Sequence, residues 1–190
     1  MRKRYWFALG VIVLLYFIFV RYNKAYSISG DNPEIQKQIL GLINESKTVT
    51  DSLDIKQIMN MDSKRYVLYT FNTFIGETEM ERGMNNRYKI TYTSYDIAML
   101  KYRVQTTNHG NYFVIDGKNP DKLIASAKVT IDNKVYSVKI PEQEYFIACC
   151  SVSKDVQNRF PAKDSLVLFD KSDKDITADI YKKYQDSLPK

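Results

Sequence analysis

Glu77, Glu79 and Glu81 alternate along one short segment. On a strand, alternate residues share a face, and three carboxylates in a row could hold a hard cation such as Ca²⁺. The segment that follows supports a plainer reading, a solvated face. If Met80 faces Ile90 and Thr78 faces Tyr92, then Glu81 faces Lys89 and Glu79 faces Thr91. That register turns the apolar side inward and sets opposite charges across the pair. No acidic, glycine-containing calcium loop accompanies the three acids, so none is assigned as a metal ligand.

His109 is the single histidine and the one candidate for a His-based general base. It sits between Asn108 and Gly110, which is turn chemistry. No Gly-x-Ser-x-Gly nucleophile motif is present to partner it. Cys149 and Cys150 are the two cysteines, adjacent in a β-forming run. Their side chains should point to opposite faces and cannot bond each other without strain. Their neighbours Ala148 and Ser151 offer nothing to lower a thiol pKa. The expectation is one buried thiol and one half-exposed thiol, with an intermolecular disulfide as the alternative. Asp116-Gly117-Lys118-Asn119-Pro120 lacks the phosphate-loop framework and reads as a turn. Asn44-Glu45-Ser46 fits the glycosylation pattern without a context for it. Fifteen tyrosines suit half-buried sheet surfaces. Exposed, they would suit recognition. No catalytic, cofactor-binding or metal-binding residue is assigned, and no cofactor is expected.

The elements that would position these residues are mostly strands. Asp31-Asn32-Pro33-Glu34 is a helix start, and Ile35, Ile39, Leu42 and Ile43 recur at helical spacing. This predicts a helix over 33–46, broken by Glu45-Ser46-Lys47-Thr48. A run holding Ile55, Ile58 and Met59 follows, then a buried strand over 66–71. Three hairpins come next. Segments 75–82 and 87–95 flank Gly83-Met84-Asn85-Asn86, and 99–107 and 112–116 flank Asn108-His109-Gly110-Asn111. Segments 123–131 and 134–140 flank Asp132-Asn133. A strand over 144–152, a helical turn over 156–160, an edge strand over 166–169 and a surface helix over 173–186 complete the chain. In that last helix Ile176, Ile180 and Tyr184 repeat every four residues. Hairpins at short spacing without intervening helices mean antiparallel structure. The fold class is mainly β, with α+β character at the margins. It is expected as an antiparallel β-sandwich or partly open barrel between an N-terminal transmembrane helix, one short helix and a C-terminal surface helix.

Residues 5–20 carry no charge over sixteen positions. As a helix they span about 24 Å at ~1.5 Å per residue. That is slightly short of a ~30 Å bilayer core, a gap that Arg4 and Arg21 can close by snorkelling. Tyr5, Trp6 and Tyr22 suit the two interfacial belts. A cleaved signal peptide is the rival, with Arg2-Lys3-Arg4 as its basic region and Ala25-Tyr26-Ser27 as its processing site. Against cleavage, the apolar run is long and Arg21 and Lys24 interrupt the approach to the site. The net charge of +6 belongs to the same segment: residues 1–24 hold five bases and no acid, leaving twenty-three bases against twenty-two acids. The basic balance therefore marks a membrane flank rather than a nucleic-acid surface. The positive-inside rule favours a cytoplasmic stub and anchor over 1–24 and an extracytoplasmic β-rich domain over 25–190.

The stretch from Gly110 to Asn119, the hairpin from Glu81 to Ile90, and Glu144-Tyr145-Phe146-Ile147 resemble uncharacterised single-pass membrane-anchored proteins of Gram-positive spore-forming bacteria. The likeness covers about residues 66–152. It implies an envelope setting and transfers no catalytic residue. The expectation is a non-enzymatic binding or interaction module of the bacterial envelope. Its partners would be the membrane, through residues 5–22, and an envelope protein, peptide or cell-wall polymer, with no nucleic acid. A cell-wall hydrolase or transferase is the alternative, and an immunity or inhibitor protein a further one.

Overall fold

In the computed structural model, which describes residues 2–46 and 50–187, two helices precede ten strands. Helix α1 (Arg2–Ala25) is the apolar N-terminal segment, and α2 (Asn32–Glu45) follows it. Asp31 caps α2 by accepting the Glu34 N–H at 2.9 Å, and the Glu34 carboxylate accepts the Ser29 N–H at 2.7 Å. Lys47 and Thr48, where the sequence breaks this helix, lie outside the described residues.

Strands β1 (Asp54–Met61), β2 (Lys64–Phe71), β3 (Phe74–Arg82) and β4 (Tyr88–Asp96) form an antiparallel meander. A second sheet has the order β5 (Leu100–Thr106), β6 (Asn111–Lys118), β9 (Tyr145–Val152). A third has the order β10 (Leu166–Phe169), β7 (Ser126–Ile131), β8 (Lys134–Lys139). Helix α3 (Thr177–Ser187) ends the described chain. No barrel closes among the described residues.

The layers follow from alternation along the strands. On one face of the first sheet, Val67, Tyr69, Phe71 and Met80 pack with Ile35, Ile39 and Ile43 of α2. A fourteen-residue helix is marginal alone. Burying each isoleucine contributes roughly 1.5–3 kcal/mol, so the sheet holds α2 in place. On the opposite face, Met61, Tyr66, Leu68 and Ile75 meet Val114 and Ile147 of the second sheet. The far side of the second sheet offers Phe113, Ile115, Phe146 and Ala148 to the third sheet and to α3 through Ile176 and Ile180. Tyr184 packs partly buried against the same core, as its spacing in the sequence predicts.

Two local expectations change. The pairs Met80↔Ile90 and Glu81↔Lys89 form as expected, but a bulge then shifts the register to Glu79↔Tyr92 and Thr78↔Thr93. Thr91 is the extra residue, and its hydroxyl donates to the Glu79 carbonyl at 3.2 Å. The helical turn expected over 156–160 is irregular chain, and a 3₁₀ turn forms at Lys163–Ser165 instead.

Helix α1 is continuous over its apolar run, and Tyr5–Ala25 is long and apolar enough to cross a membrane. None of that stretch is buried within the protein. Its last turn is joined to the domain at the β3–β4 turn. The Tyr22 hydroxyl accepts the Met84 N–H at 2.6 Å, and the Asn85 amide donates to Asn23 at 3.1 Å and to the Tyr26 carbonyl at 3.0 Å. The Tyr26 hydroxyl donates to Glu81 at 3.1 Å. Gly83 makes this approach feasible, since a Cβ there would stand 2.6–2.7 Å from the Tyr22 and Tyr26 side chains.

Gly76 has a comparable role inside the sheet. The Tyr69 side chain lies across it and reaches the Thr93 hydroxyl at 3.1 Å, and a Cβ on Gly76 would stand 2.2 Å from that ring. Gly76→Val should therefore lower stability by about 1–3 kcal/mol through overpacking. The denaturation midpoint checks this. An unchanged midpoint would mean that the ring moves aside freely.

Candidate functional site

The alternating glutamates do not form a solvated face. Glu77 and Glu79 are each 5% exposed, between the first and second sheets. The sequence shows one strand and its neighbour, whereas the second sheet covers the face that would otherwise meet water. Arg103 of β5 pairs with Glu77, and Lys64 of β2 pairs with Glu79. Arg103 also stacks on the Tyr92 ring, 4.7 Å from its centroid. Glu81, nearer the strand end, pairs with Lys89 at 3.1 Å. Basic side chains thus occupy the places a bound cation would need.

Asp116 of β6 belongs to the same seam. It is 4% exposed and its Oδ2 has no donor facing it. Burial pushes its carboxyl well above the usual range, and the neighbouring Glu77 pushes it further, against the pull of Arg103 and Lys101. Tyr66 lies close by with its hydroxyl unpartnered, and burial raises its pKa. The contact between the two sheets therefore combines buried charged groups with apolar side chains.

His109 lies elsewhere, at the β5–β6 turn. It is exposed and its Nδ1 is 3.1 Å from Asp62. Its N–H donates to the Thr107 hydroxyl, which itself donates to Asp62. The Thr107 hydroxyl, with His109, holds the Asp62 carboxyl below its usual range. The arrangement ties two turns together.

Cys149 and Cys150 take opposite faces, Cys149 towards the first sheet and Cys150 towards the third. Both are free and half-buried. Burial raises both thiols, Cys150 to about 11, which opposes nucleophilic use.

The Asp116–Pro120 stretch is not one turn. β6 runs on through Lys118, and a 3₁₀ turn starts at Pro120. Asn119 is wholly buried between them and bonds both backbone groups of Ile124 at 2.9 Å. The Asn44 amide oxygen accepts the Thr50 N–H at 3.2 Å. Most domain tyrosines are buried or half-buried, and Tyr92 is 45% exposed.

A cleft that the sequence did not indicate opens where the β2–β3 turn, the β4–β5 loop, the end of β6, the start of β9 and α3 converge. Its volume is about 750 Å³. Phe74, Ile97, Met99 and Tyr145 supply apolar surface to it. Its two acids are paired with lysines, Asp121 with Lys183 and Glu144 with Lys118 at 3.4 Å, and Lys122 adds a third lysine to the lining. None of Glu77, Glu79, Glu81, His109 or the cysteines lines it. The cleft sits at the Phe74 end of β3, opposite the Arg82 end that meets α1. No protein family, curated protein or solved structure matches this chain.

The raised Asp116 carboxyl makes stability depend on pH. Below the unfolded carboxyl value of about 3.9, Asp116 is protonated in both states and its contribution is fully present. As pH rises towards the folded value, the unfolded chain releases the proton and the folded chain keeps it. Stability then falls by up to ~1.4 kcal/mol per pH unit, and the loss is complete once the folded carboxyl ionises. Asp116→Asn keeps the shape and a donor, and should remove this slope. Denaturant titrations of both proteins from about pH 4 upward test it. A difference independent of pH would mean that folded Asp116 is ionised.

Proposed function

We propose that this chain is a non-enzymatic binding module held by α1 at the outer face of a bacterial cytoplasmic membrane, with its N-terminus inside. The cleft is its partner-facing surface. The observation that carries this reading is the placement of the cleft relative to the anchor. The two lie at opposite ends of the nine-residue strand β3, separated by about 26 Å at ~3.3 Å per residue. A domain so arranged presents its opening away from the bilayer and holds it at high effective concentration for a partner there. Apolar rings beside paired charges of both signs suit a peptide segment of an envelope protein or a cell-wall polymer.

Three features support an uncleaved anchor. Tyr26, inside the candidate processing site, is buried and bonded to Glu81. Ile28 exchanges backbone hydrogen bonds with Tyr88. Cleavage after Ser27 would remove the aromatic side chains that pack on Gly83. The flank charges, Arg2, Lys3 and Arg4 against Arg21 and Lys24, support the inside position of the N-terminus. Binding is favoured over hydrolysis because the carboxylates at the cleft are each paired with a lysine. Asp116 and Glu77 are buried away from it.

Two measurements test the reading. Protease treatment of intact protoplasts should remove a C-terminal tag while untreated membranes keep the full-length protein. Protection of the tag, with active protease and sealed membranes, would place the domain in the cytoplasm, where two free thiols are the ordinary state. A photo-reactive side chain at Ile97, 48% exposed in the cleft, should give a discrete adduct in cells. The same group at Val135, exposed on β8, should not. Equal labelling from both sites would count against the cleft as the contact surface.

A further inference from the structure

The β3–β4 turn combines three properties that the cleft-binding reading does not use. It is bonded to the last turn of α1 through Tyr22, Asn23 and Tyr26. Its tip residue, Met84, is 89% exposed. Its flanks are basic: Arg82 and Arg87 on the turn, with Arg21 and Lys24 on the adjoining helix end, are all exposed. No acidic residue occurs in 21–30 or in 82–88. We infer that this turn is a second membrane contact. Met84 enters the headgroup layer, and the four cations receive anionic phospholipid headgroups. This inference rests on the reading of α1 as a membrane span.

The depth follows from helix geometry. The uncharged run ends at Val20, and Tyr22 lies about 3 Å further along the axis at ~1.5 Å per residue. The headgroup layer on each side of a bilayer is roughly 5–7 Å thick. Side chains on a helix lean towards its N-terminus, which for α1 is the direction of the membrane. The Tyr22 hydroxyl that holds the Met84 N–H therefore lies at or below the level of its own Cα. Met84 is placed at headgroup depth by a hydrogen bond to the anchor itself. An exposed, flexible thioether side chain suits such a boundary.

The charge pattern selects the lipid. Glu81 is the nearest acid on β3, and it is engaged by Lys89 and the Tyr26 hydroxyl. Arg87 also donates to the Ser27 carbonyl, which holds its guanidinium on the helix side of the turn. Glu34 lies close enough to Arg87 to feel its charge and offsets one of the four cations, and the net positive charge that remains favours an anionic surface. With helix and turn both seated, the domain is held at two points. It then cannot swivel about α1, and the cleft is kept on the distal side.

The test uses the full chain in nanodiscs with lipid-borne nitroxide quenchers and a fluorophore on Met84→Cys. Wild type carried through the same labelling supplies the blank for Cys149 and Cys150, whose raised thiols react slowly. Ile97→Cys at the cleft is the distal control, and Tyr16→Cys within α1 reports insertion. In discs containing anionic phosphatidylglycerol, the label at 84 should be quenched several-fold more than the label at 97. Neutral phosphatidylcholine discs or Arg82→Glu should reduce that quenching at least twofold. Equal quenching at 84 and 97, with Tyr16→Cys strongly quenched, would overturn the second contact and leave the anchor intact. Quenching at 84 that ignores lipid charge and Arg82→Glu would overturn the headgroup pairing. Absence of quenching at 16 would overturn the anchor and this inference together.

Discussion

Two carboxylates on one face of β3 decide where the second sheet can sit. Removing an unpaired carboxylate from water costs several kcal/mol, and Glu77 and Glu79 are both buried there. The first and second sheets can close only in the register that brings Arg103 over Glu77 while Lys64 holds Glu79. Apolar contacts such as Leu68 against Val114 and Ile147 tolerate sliding, whereas an ion pair in low dielectric does not. The seam therefore contributes placement more than net stability. Asp116 completes it: burial and the neighbouring Glu77 raise its carboxyl against the pull of Arg103 and Lys101.

That placement propagates along β3 in both directions. The cleft opens at the Phe74 end, where Lys101 reaches back to the Ile75 carbonyl at 3.1 Å. At the Arg82 end, the strand enters the turn that receives Tyr22 and Tyr26. One strand thus connects the apolar N-terminal helix, the buried charges and the cleft. The α1–β3 joint is made of side chain and backbone hydrogen bonds, not of a flexible linker. Motion of the cleft relative to α1 is limited accordingly.

Much of the architecture was legible in the sequence. The hairpin turns at 83–86, 108–111 and 132–133 lie between the strands they were expected to join. The capping acid of α2 also read correctly, and of its apolar stripe Ile35, Ile39 and Ile43 are buried while Leu42 is exposed. Each of these signals is local, since a turn or a cap is decided within a few residues. The burial of Glu77 and Glu79 was not legible from their own hairpin. A trace of it was present: Lys101 and Arg103 alternate on β5 as the glutamates alternate on β3. Recognising the match required knowing that the two strands face each other across a layer.

The sequence by itself determined a long apolar N-terminal helix, a second capped helix, a series of antiparallel hairpins and a C-terminal amphipathic helix. Periodicity and turn chemistry are properties of neighbouring residues and need no knowledge of the whole. Only the tertiary structure decided that the first sheet is covered on both faces, that burial raises the Asp116 carboxyl, and that a cleft opens at one end of β3 while the other end meets α1. Those outcomes depend on groups tens of residues apart sharing a few ångströms of space. Desolvation and charge pairing act over that space, and one-dimensional order does not encode it directly.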